Sequence, residues 1–514
     1  MLPMKGSTRI DVLIIGAGPG GIQVAHELHQ ARSDYLVVEA ADGPGDFFNR
    51  FPRHRQLISV NKCAVALQDN SLRFDWNSLL SDDDRLQFAR YSQDYWPEAN
   101  DMVRYLTDFV VRQQLHIRYN ARVRSIETAP SGEFTVTLNN ADTLTARRVV
   151  VATGMAPYVP AIPGIEHADS YENMSIDPNE FANLRVLIIG KGNSAFETAD
   201  LLMPVAHAIH MASPNTVKLA WNSHYVGNLR AINNGLIDTY QLKIGNALLD
   251  AEITEIRCDA KGFHVDLAYT HAGGHRVTYH YDRVIAATGF RFAAQDIFSK
   301  LNVETSHDAR FPAMTSSYQS PRNPGLYFAG TVTHSRDYRK TMSGFIHGFR
   351  YNARFLARLL ISNGRLSPDQ ALSADAKKLA EWALDRINTS DAIYLQPGYY
   401  ADVAIEDGEC MNAYLGVPLD WVREGGLGNG WQVAVTLAYG PPAPDPLRVE
   451  RSPDLSYAAV TPFLHPVLHL RRNGRDAGVL HLLEDLENRY APDDYLPQLV
   501  KFFQTALTHE TVVS

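Results

Sequence analysis

The chain has 514 residues, a length that divides into two or three hydrophobic cores and excludes a single small domain. Hydrophobic residues make up 45% and charged residues 20%, which excludes a disordered chain and a disulfide scaffold, and a formal charge of -9 excludes a protein built to neutralise nucleic-acid phosphates. Cys63, Cys258 and Cys410 are far apart and odd in number, as reduced thiols are, and no apolar run is long enough to span a bilayer. The expectation is a cytoplasmic protein that binds neither nucleic acid nor membrane, with oligomerisation left open.

The first structured segment is the apolar run Val12-Leu13-Ile14-Ile15, which ends in GxGxxG at Gly16, Gly18 and Gly21, and Ile22 to Ala31 then reads as a helix. In that setting the three glycines serve a tight turn, close approach of backbone to a pyrophosphate, and helix-to-strand packing. The phosphates would rest on the helix N-terminus. The next strand, Tyr35 to Val38, ends in Glu39, about 20 residues past the first glycine, where a dinucleotide ribose is recognised. FAD is the expected ligand. Val149-Val150-Val151 then runs into Ala152-Thr153-Gly154, an apolar strand that ends in a small turn.

A second unit opens at Arg185-Val186-Leu187-Ile188-Ile189, followed by Gly190-Lys191-Gly192-Asn193-Ser194-Ala195 and a helix from Phe196 to Met203. This GxGxxA loop predicts a nicotinamide site, with Gly190, Gly192, Asn193 and Ser194 nearest the coenzyme. The strand Ala208 to Met211 ends without an acid, which leans toward NADPH, with Lys218 the cation nearest a 2′-phosphate; NADH stays open. Tyr225, Arg230, Asn233, Asn234 and Tyr240 then form a stretch rich in polar recognition groups. It reads either as a substrate or coenzyme clamp or as a buried polar network. Val284-Ile285-Ala286 leads into a second ATG, Ala287-Thr288-Gly289, so the two ATG turns bracket the second glycine loop and predict an inserted domain.

The strand Gly325 to Ala329 ends at Gly330, which is expected to contact the cofactor, and a helix is predicted from near Gly344, with apolar residues at helical spacing through Leu360. Its N-terminus is expected to face the flavin. Beyond Gly364 the signals mix helix and strand without a catalytic set. The predicted fold is α/β, with two Rossmann-like dinucleotide-binding domains and a C-terminal α+β region. The expected boundaries are 1–160 and 286–365 for the FAD domain, 161–285 for the inserted NAD(P)H domain, and 366–514 for the remainder. No metal-ligand spacing, GxSxG or cysteine pair occurs.

The order GAGPGG, Asn61, ATG, GKGNSA, ATG and closing strand-helix resembles the flavin monooxygenase superfamily. Longer phrases, including Phe51-Pro52-Arg53-His54-Arg55, Asp75-Trp76-Asn77, His224-Tyr225-Val226-Gly227 and Asp337-Tyr338-Arg339-Lys340, are similar to the animal FAD-dependent oxidoreductase domain-containing family. The first resemblance implies FAD, a nicotinamide coenzyme, molecular oxygen and a small-molecule substrate. It places Asn61 beside the reactive edge of the flavin; as a residue read alone, Asn61 also suits a turn cap. His54 reads as a base near the flavin or as part of a solvated loop. The FxGxxxH phrase of the monooxygenases is replaced here by Ile165 to Tyr171. The leading expectation is a monooxygenase for nitrogen or another heteroatom. An NAD(P)H-dependent reductase or oxidase without oxygen insertion and a flavin-stabilised protein-binding module stand as alternatives.

Overall fold

The computed structural model describes residues 9–66, 71–240, 245–408, 410–445 and 447–508. The flavin unit begins with β1 (Arg9–Ile15), α1 (Pro19–Gln30) and β2 (Tyr35–Val38). It continues through α2 (Ala99–Arg112), β3 (Ile117–Arg118), β4 (Val123–Thr128), β5 (Phe134–Leu138) and β6 (Thr143–Val151). The sheet order is β3-β2-β1-β6-β5-β4, and a closing strand, Leu326–Phe328, pairs in parallel with the end of β6. The run Val149, Val150 and Val151 is fully buried, as a parallel strand covered on both faces must be.

The second sheet is built from β7 (Arg185–Ile189), β8 (Ala208–Ser213), β9 (Ala247–Asp259), β10 (Gly262–Tyr269), β11 (Arg276–Tyr281) and β12 (Arg283–Ala286). Its order is β11-β10-β9-β8-β7-β12, and the short strand Asp169–Ser170 completes the edge; α3 (Asn193–Leu202) follows β7. Both ATG turns stand where the chain crosses between units. Met155–Pro157, after the first, pairs antiparallel with Phe290–Phe292, after the second. Two adjacent strands therefore carry the chain out and back.

The helix expected from near Gly344 begins later, as α4 (Ile346–Ile361). Phe345 is extended and serves as its N-cap, while Gly344 packs against the His334 ring. The remaining chain folds as β13 (Gln370–Leu372), α5 (Ala376–Thr389), β14 (Tyr400–Asp407), β15 (Cys410–Pro418), β16 (Gln432–Tyr439), β17 (Leu464–Arg472), β18 (Arg475–His481) and α6 (Pro492–Leu507). Its sheet order is β13-β15-β14-β16-β17-β18. One face of this sheet adds Ala401, Val403 and Val417 to the core of the flavin unit, together with Trp421 of the short helix Leu419–Arg423, and the other packs on α5 and α6. It is docked on the flavin unit, with α4 between them.

Candidate functional site

The ligand edge of the flavin unit follows from helix polarity. Arg148 donates to the Leu360 carbonyl at the far end of α4 and pairs with Asp11 near the start of β1. The C-terminus of α4 therefore lies at the bottom of the sheet, and its N-terminus lies at the top with that of α1. Arg354 of α4 also donates to Glu27 of α1 at 2.8 Å, which holds the two helices side by side. In open α/β sheets this upper edge, outside the strand ends, is where ligands bind.

Three of the first-loop glycines are set by packing. Gly16 has φ +107°, and a Cβ there would stand 2.6 Å from the Ala152 carbonyl oxygen. A Cβ on Gly21 would overlap the Gly16 carbonyl, and one on Gly20 would overlap the Gly330 backbone, so Gly330 is the floor on which α1 starts. Gly18 differs, because a Cβ there meets no protein atom within 4 Å. The α1 N-terminus has no side-chain cap either, and its N–H groups are left for an anion. Glu39 accepts from Ala17 N at 2.6 Å and Ala41 N at 2.8 Å, which fixes its carboxylate beside the loop.

Two buried side chains on this edge are short of well-formed hydrogen bonds. Thr153 Oγ1, in the first ATG turn, has no hydrogen-bond partner. Neither ring nitrogen of His347, in the first turn of α4, makes a hydrogen bond of normal geometry, although the residue is only 1% exposed. Burial and the Arg350 and Arg230 guanidinium groups push the His347 pKa down to about 3, against the Trp76 backbone that the ring meets, so the ring is neutral. Orphaned polar atoms beside an open glycine cradle fit FAD. The cradle and α1 would hold its pyrophosphate, Glu39 its ribose, and the α4 N-terminus its ring system.

The second loop repeats the pattern. A Cβ on Gly190, at φ +125°, would overlap the Ala287 carbonyl, whereas Gly192 meets nothing within 4 Å. α3 likewise starts without a side-chain cap. The Asn193 side chain is bonded within the protein. Its Oδ1 accepts from Arg230 N at 3.0 Å and Asn233 Nδ2 at 3.3 Å, and its Nδ2 donates to the Asn228 carbonyl at 2.9 Å. With its amide spent on protein groups, Asn193 anchors the segment after Leu219. The Ser194 carbonyl accepts from Thr198 Oγ1, and Lys218 is exposed, its carbonyl accepting from Leu229 N. Lys191 is the cation that the motif concealed: its ammonium is buried and paired with Asp250 of β9. Asp250 lies opposite Ser213 at the end of β8, where the sequence has no acid.

The polar segment is divided. Asn233 is buried in the Asn193 network, and the Asn234 carbonyl bonds Ile237 N. The Tyr240 side chain lies outside the described residues. Arg230 crosses to the flavin unit. Its Nη1 donates to the Ile58 carbonyl at 2.9 Å, and its guanidinium stands 5.6 Å from the Trp76 ring and 5.5 Å from that of Trp96. Trp76 stacks on His347 at 4.6 Å between centroids. Tyr225 reaches His334 in the turn after Gly330, with Oη 2.9 Å from Nε2.

Asn61 is buried close by, but its Nδ2 donates to the carbonyls of Ser92 at 2.9 Å and Asp94 at 3.2 Å. Both partners are acceptors, so the amide cannot be flipped, and its two protons already hold the 92–94 loop. His54 is half-buried and its Nε2 is 3.2 Å from Thr198 Oγ1 on α3. Burial and Arg53 lower its pKa to about 4. It belongs to the seam between the units, where Arg53 N donates to Tyr171 Oη at 3.1 Å and Tyr171 donates to Glu197 at 3.1 Å. Burial pushes the Glu197 carboxyl up to about 7. Sequence reasoning missed Trp76, Trp96, His334, Asp337 and His347, because their meeting depends on elements far apart in the chain.

Among the described residues no helix is long and apolar enough to cross a membrane, and no group of three or more acidic, histidine or cysteine side chains is placed to hold a metal. Similarity to known proteins agrees with this geometry. The chain is 35% identical to the mouse FAD-dependent oxidoreductase domain-containing protein 2 over 97% of its own length and 84% of that protein. In fold it is similar to bacillithiol disulfide reductase from Staphylococcus aureus, with a TM-score of 0.55 at 17% identity, covering 69% of this chain and 99% of that one. A flavin-containing monooxygenase from Stenotrophomonas maltophilia gives 0.53 at 19%, with the same coverage. A model of the pyridine nucleotide-disulphide oxidoreductases matches residues 13–330, which contain both glycine loops. The chain belongs to that family, as a flavin-dependent oxidoreductase that uses FAD and a nicotinamide coenzyme.

Proposed function

We propose that this oxidoreductase is an NAD(P)H-dependent monooxygenase that oxidises nitrogen or another heteroatom of a small metabolite, with NADPH the preferred coenzyme. The observation that supports it best is the enclosure formed by Trp76, Trp96, Arg230 and His347 where the two units meet. Bound FAD supplies the redox chemistry and the activation of oxygen. An aromatic enclosure of this kind excludes water, which protects activated oxygen from loss as hydrogen peroxide. Arg230 would orient a substrate from the nicotinamide side. Among the described residues the nearby thiol, Cys63, is a free cysteine whose Sγ faces the Ser92 carbonyl, so the enclosure holds no dithiol for disulfide chemistry. Preference for NADPH follows from the absent acid after β8 and from Asp250 being paired with Lys191, and a single charge-assisted contact makes it about 1–3 kcal/mol.

The test is rapid mixing of the holoenzyme, reduced by NADPH or NADH, with oxygen. Delayed recovery of the oxidised flavin spectrum with little hydrogen peroxide supports the monooxygenase. Immediate recovery with one peroxide per coenzyme supports an oxidase, and failure of both coenzymes to bleach the flavin overturns both readings.

A further inference from the structure

Outside the aromatic enclosure a second constellation crosses the seam, and the glycine motifs do not account for it. Tyr225 comes from the nicotinamide unit; His334 and Asp337 come from the turn that follows Gly330. Tyr225 Oη lies 2.9 Å from His334 Nε2, and His334 Nδ1 lies 3.1 Å from Asp337 Oδ1. His334 and Asp337 are 3% and 2% exposed, whereas Tyr225 is half-buried. Asp337 Oδ2 accepts from Ser343 N at 3.1 Å and from the Thr341 hydroxyl, which holds the carboxylate in place.

The hydrogen bonds fix the direction of the chain. Arg339 N donates to His334 Nε2 at 3.2 Å, so that nitrogen is an acceptor and the ring proton sits on Nδ1, facing Asp337. Tyr225 must then donate to Nε2. Burial raises the Tyr225 phenol above its ordinary range, which keeps the proton on oxygen until His334 takes it. A hydroxyl that donates to an imidazole, which is itself oriented by a buried carboxylate, is the arrangement that activates a hydroxyl for proton exchange or attack.

We propose that Tyr225, His334 and Asp337 form an acid-base relay across the seam of the two dinucleotide units, serving a small ligand that carries a proton on nitrogen or oxygen. In the forward step the ligand's X–H bond breaks and its proton passes to Tyr225 Oη. The Tyr225 proton passes to His334 Nε2 as the Arg339 N–H, which shares that lone pair, gives up its contact, and Asp337 stays a carboxylate beside the imidazolium. No oxidant or reductant is consumed. Tyr225 is the group that meets the ligand; His334 and Asp337 are positioning residues that act through it. A protonated amine needs this step before its lone pair is available, and that assignment rests on the monooxygenase reading. The relay itself does not.

The charged and titratable groups around it are known. Arg310, Tyr338 and Arg339 face Tyr225 together with Asp337, and His307 stands beside His334. Burial and the Asp337 carboxylate oppose loss of the phenol proton, and Arg310 and Arg339 favour it.

The probe is phenylmethanesulfonyl fluoride applied to the holoprotein, with adducts mapped by peptide mass. Attack by Tyr225 Oη on sulfur forms an O–S bond, breaks S–F, sends the proton to His334 and releases fluoride. The expected result is modification at Tyr225 that is absent in Tyr225→Phe and at least tenfold slower in Asp337→Asn, with FAD content unchanged. In the unmodified sequence the rate stops rising with pH well below the ordinary phenol range near 10, because the imidazole and not hydroxide takes the proton. This pH profile decides the matter without any variant if Asp337→Asn fails to fold. An unlabelled Tyr225 overturns the relay, because a hydroxyl closed to a small sulfonyl fluoride cannot serve a ligand. A rate that climbs like a free phenol's overturns it too. Neither outcome bears on whether oxygen is inserted, which the oxygen-mixing experiment reads separately.

Discussion

Gly18 separates ligand binding from folding. Its φ of -77° and ψ of 176° are extended backbone that any residue adopts, and a Cβ there meets no protein atom within 4 Å. In the apoprotein, Gly18→Val should therefore change stability by no more than about 0.5 kcal/mol, the range of substitutions that neither clash nor leave a cavity. With FAD present the same side chain occupies the approach to the uncapped α1 N-terminus. Losing one or two N–H bonds to a phosphate, at about 1.5–3 kcal/mol each, weakens binding by about 3 kcal/mol, roughly a hundredfold in Kd. Gly21→Ala gives the contrast, since its Cβ overlaps the Gly16 carbonyl and neither backbone can give way. That variant should fail to accumulate as folded protein. The assay is FAD titration by fluorescence quenching beside thermal melts of the apoproteins. Unchanged FAD affinity in Gly18→Val, or an apoprotein as damaged as Gly21→Ala, refutes the placement of the pyrophosphate.

Three other outcomes follow from the seam and the flavin edge. Glu197 has a folded pKa raised by burial to about 7 against an ordinary value of 4.5. The folded state thus holds its proton more tightly, and stability present below about pH 4.5 is lost as pH rises toward 7, by about 3 kcal/mol; melts across that range should show the decline, and Glu197→Gln should flatten it. His347→Phe replaces a ring with two orphaned nitrogens by an apolar one, so the apoprotein should gain about 1 kcal/mol or more while FAD binds more weakly, and a loss of stability in its melts would mean the nitrogens are satisfied. Asn61→Ala leaves the Ser92 and Asp94 carbonyls without their donor and should cost about 1–3 kcal/mol, whereas a fully stable variant that only diverts oxygen to peroxide would return Asn61 to the flavin edge.

The glycine loops were legible because Gly16, Gly21 and Gly190 answer demands that no other residue meets. At Gly16 and Gly190 the backbone is left-handed, and at Gly21 two backbones touch. The two ATG turns were legible because buried parallel strands read as continuous apolar runs, and the pairing of Met155–Pro157 with Phe290–Phe292 is what such a double crossing builds. What the sequence hides is register and distance. Asp250 becomes the neighbour of Ser213 only through the pairing of β8 with β9, so an acid seemingly missing from one strand end stands on the next. His334 and Asp337 are three residues apart, but the third member of their chain is 109 positions away on another unit. Asn193 and Asn61 sit in motifs that predict a ligand, yet their amides satisfy loop carbonyls, because a buried loop must find partners for its backbone.

The C-terminal sheet bears on the same edge from behind. Gln396, fully buried at the end of the segment before β14, accepts from Met342 N at 2.9 Å and donates to Ser343 Oγ at 2.8 Å and Asn352 Oδ1 at 3.3 Å. These are the residues that lead into α4 and line its first turns. Tyr318 of the flavin unit bonds Tyr399 at 3.0 Å, and Phe355 of α4 meets Trp421 at 5.1 Å between centroids. α4 packs on one face of the sheet and α5 and α6 on the other. The geometry makes this sheet the rear wall of the flavin unit, fixing the approach to α4 and with it His347. A rigid wall matters there, because a side chain that is to meet a ligand keeps its geometry only when the elements behind it are fixed.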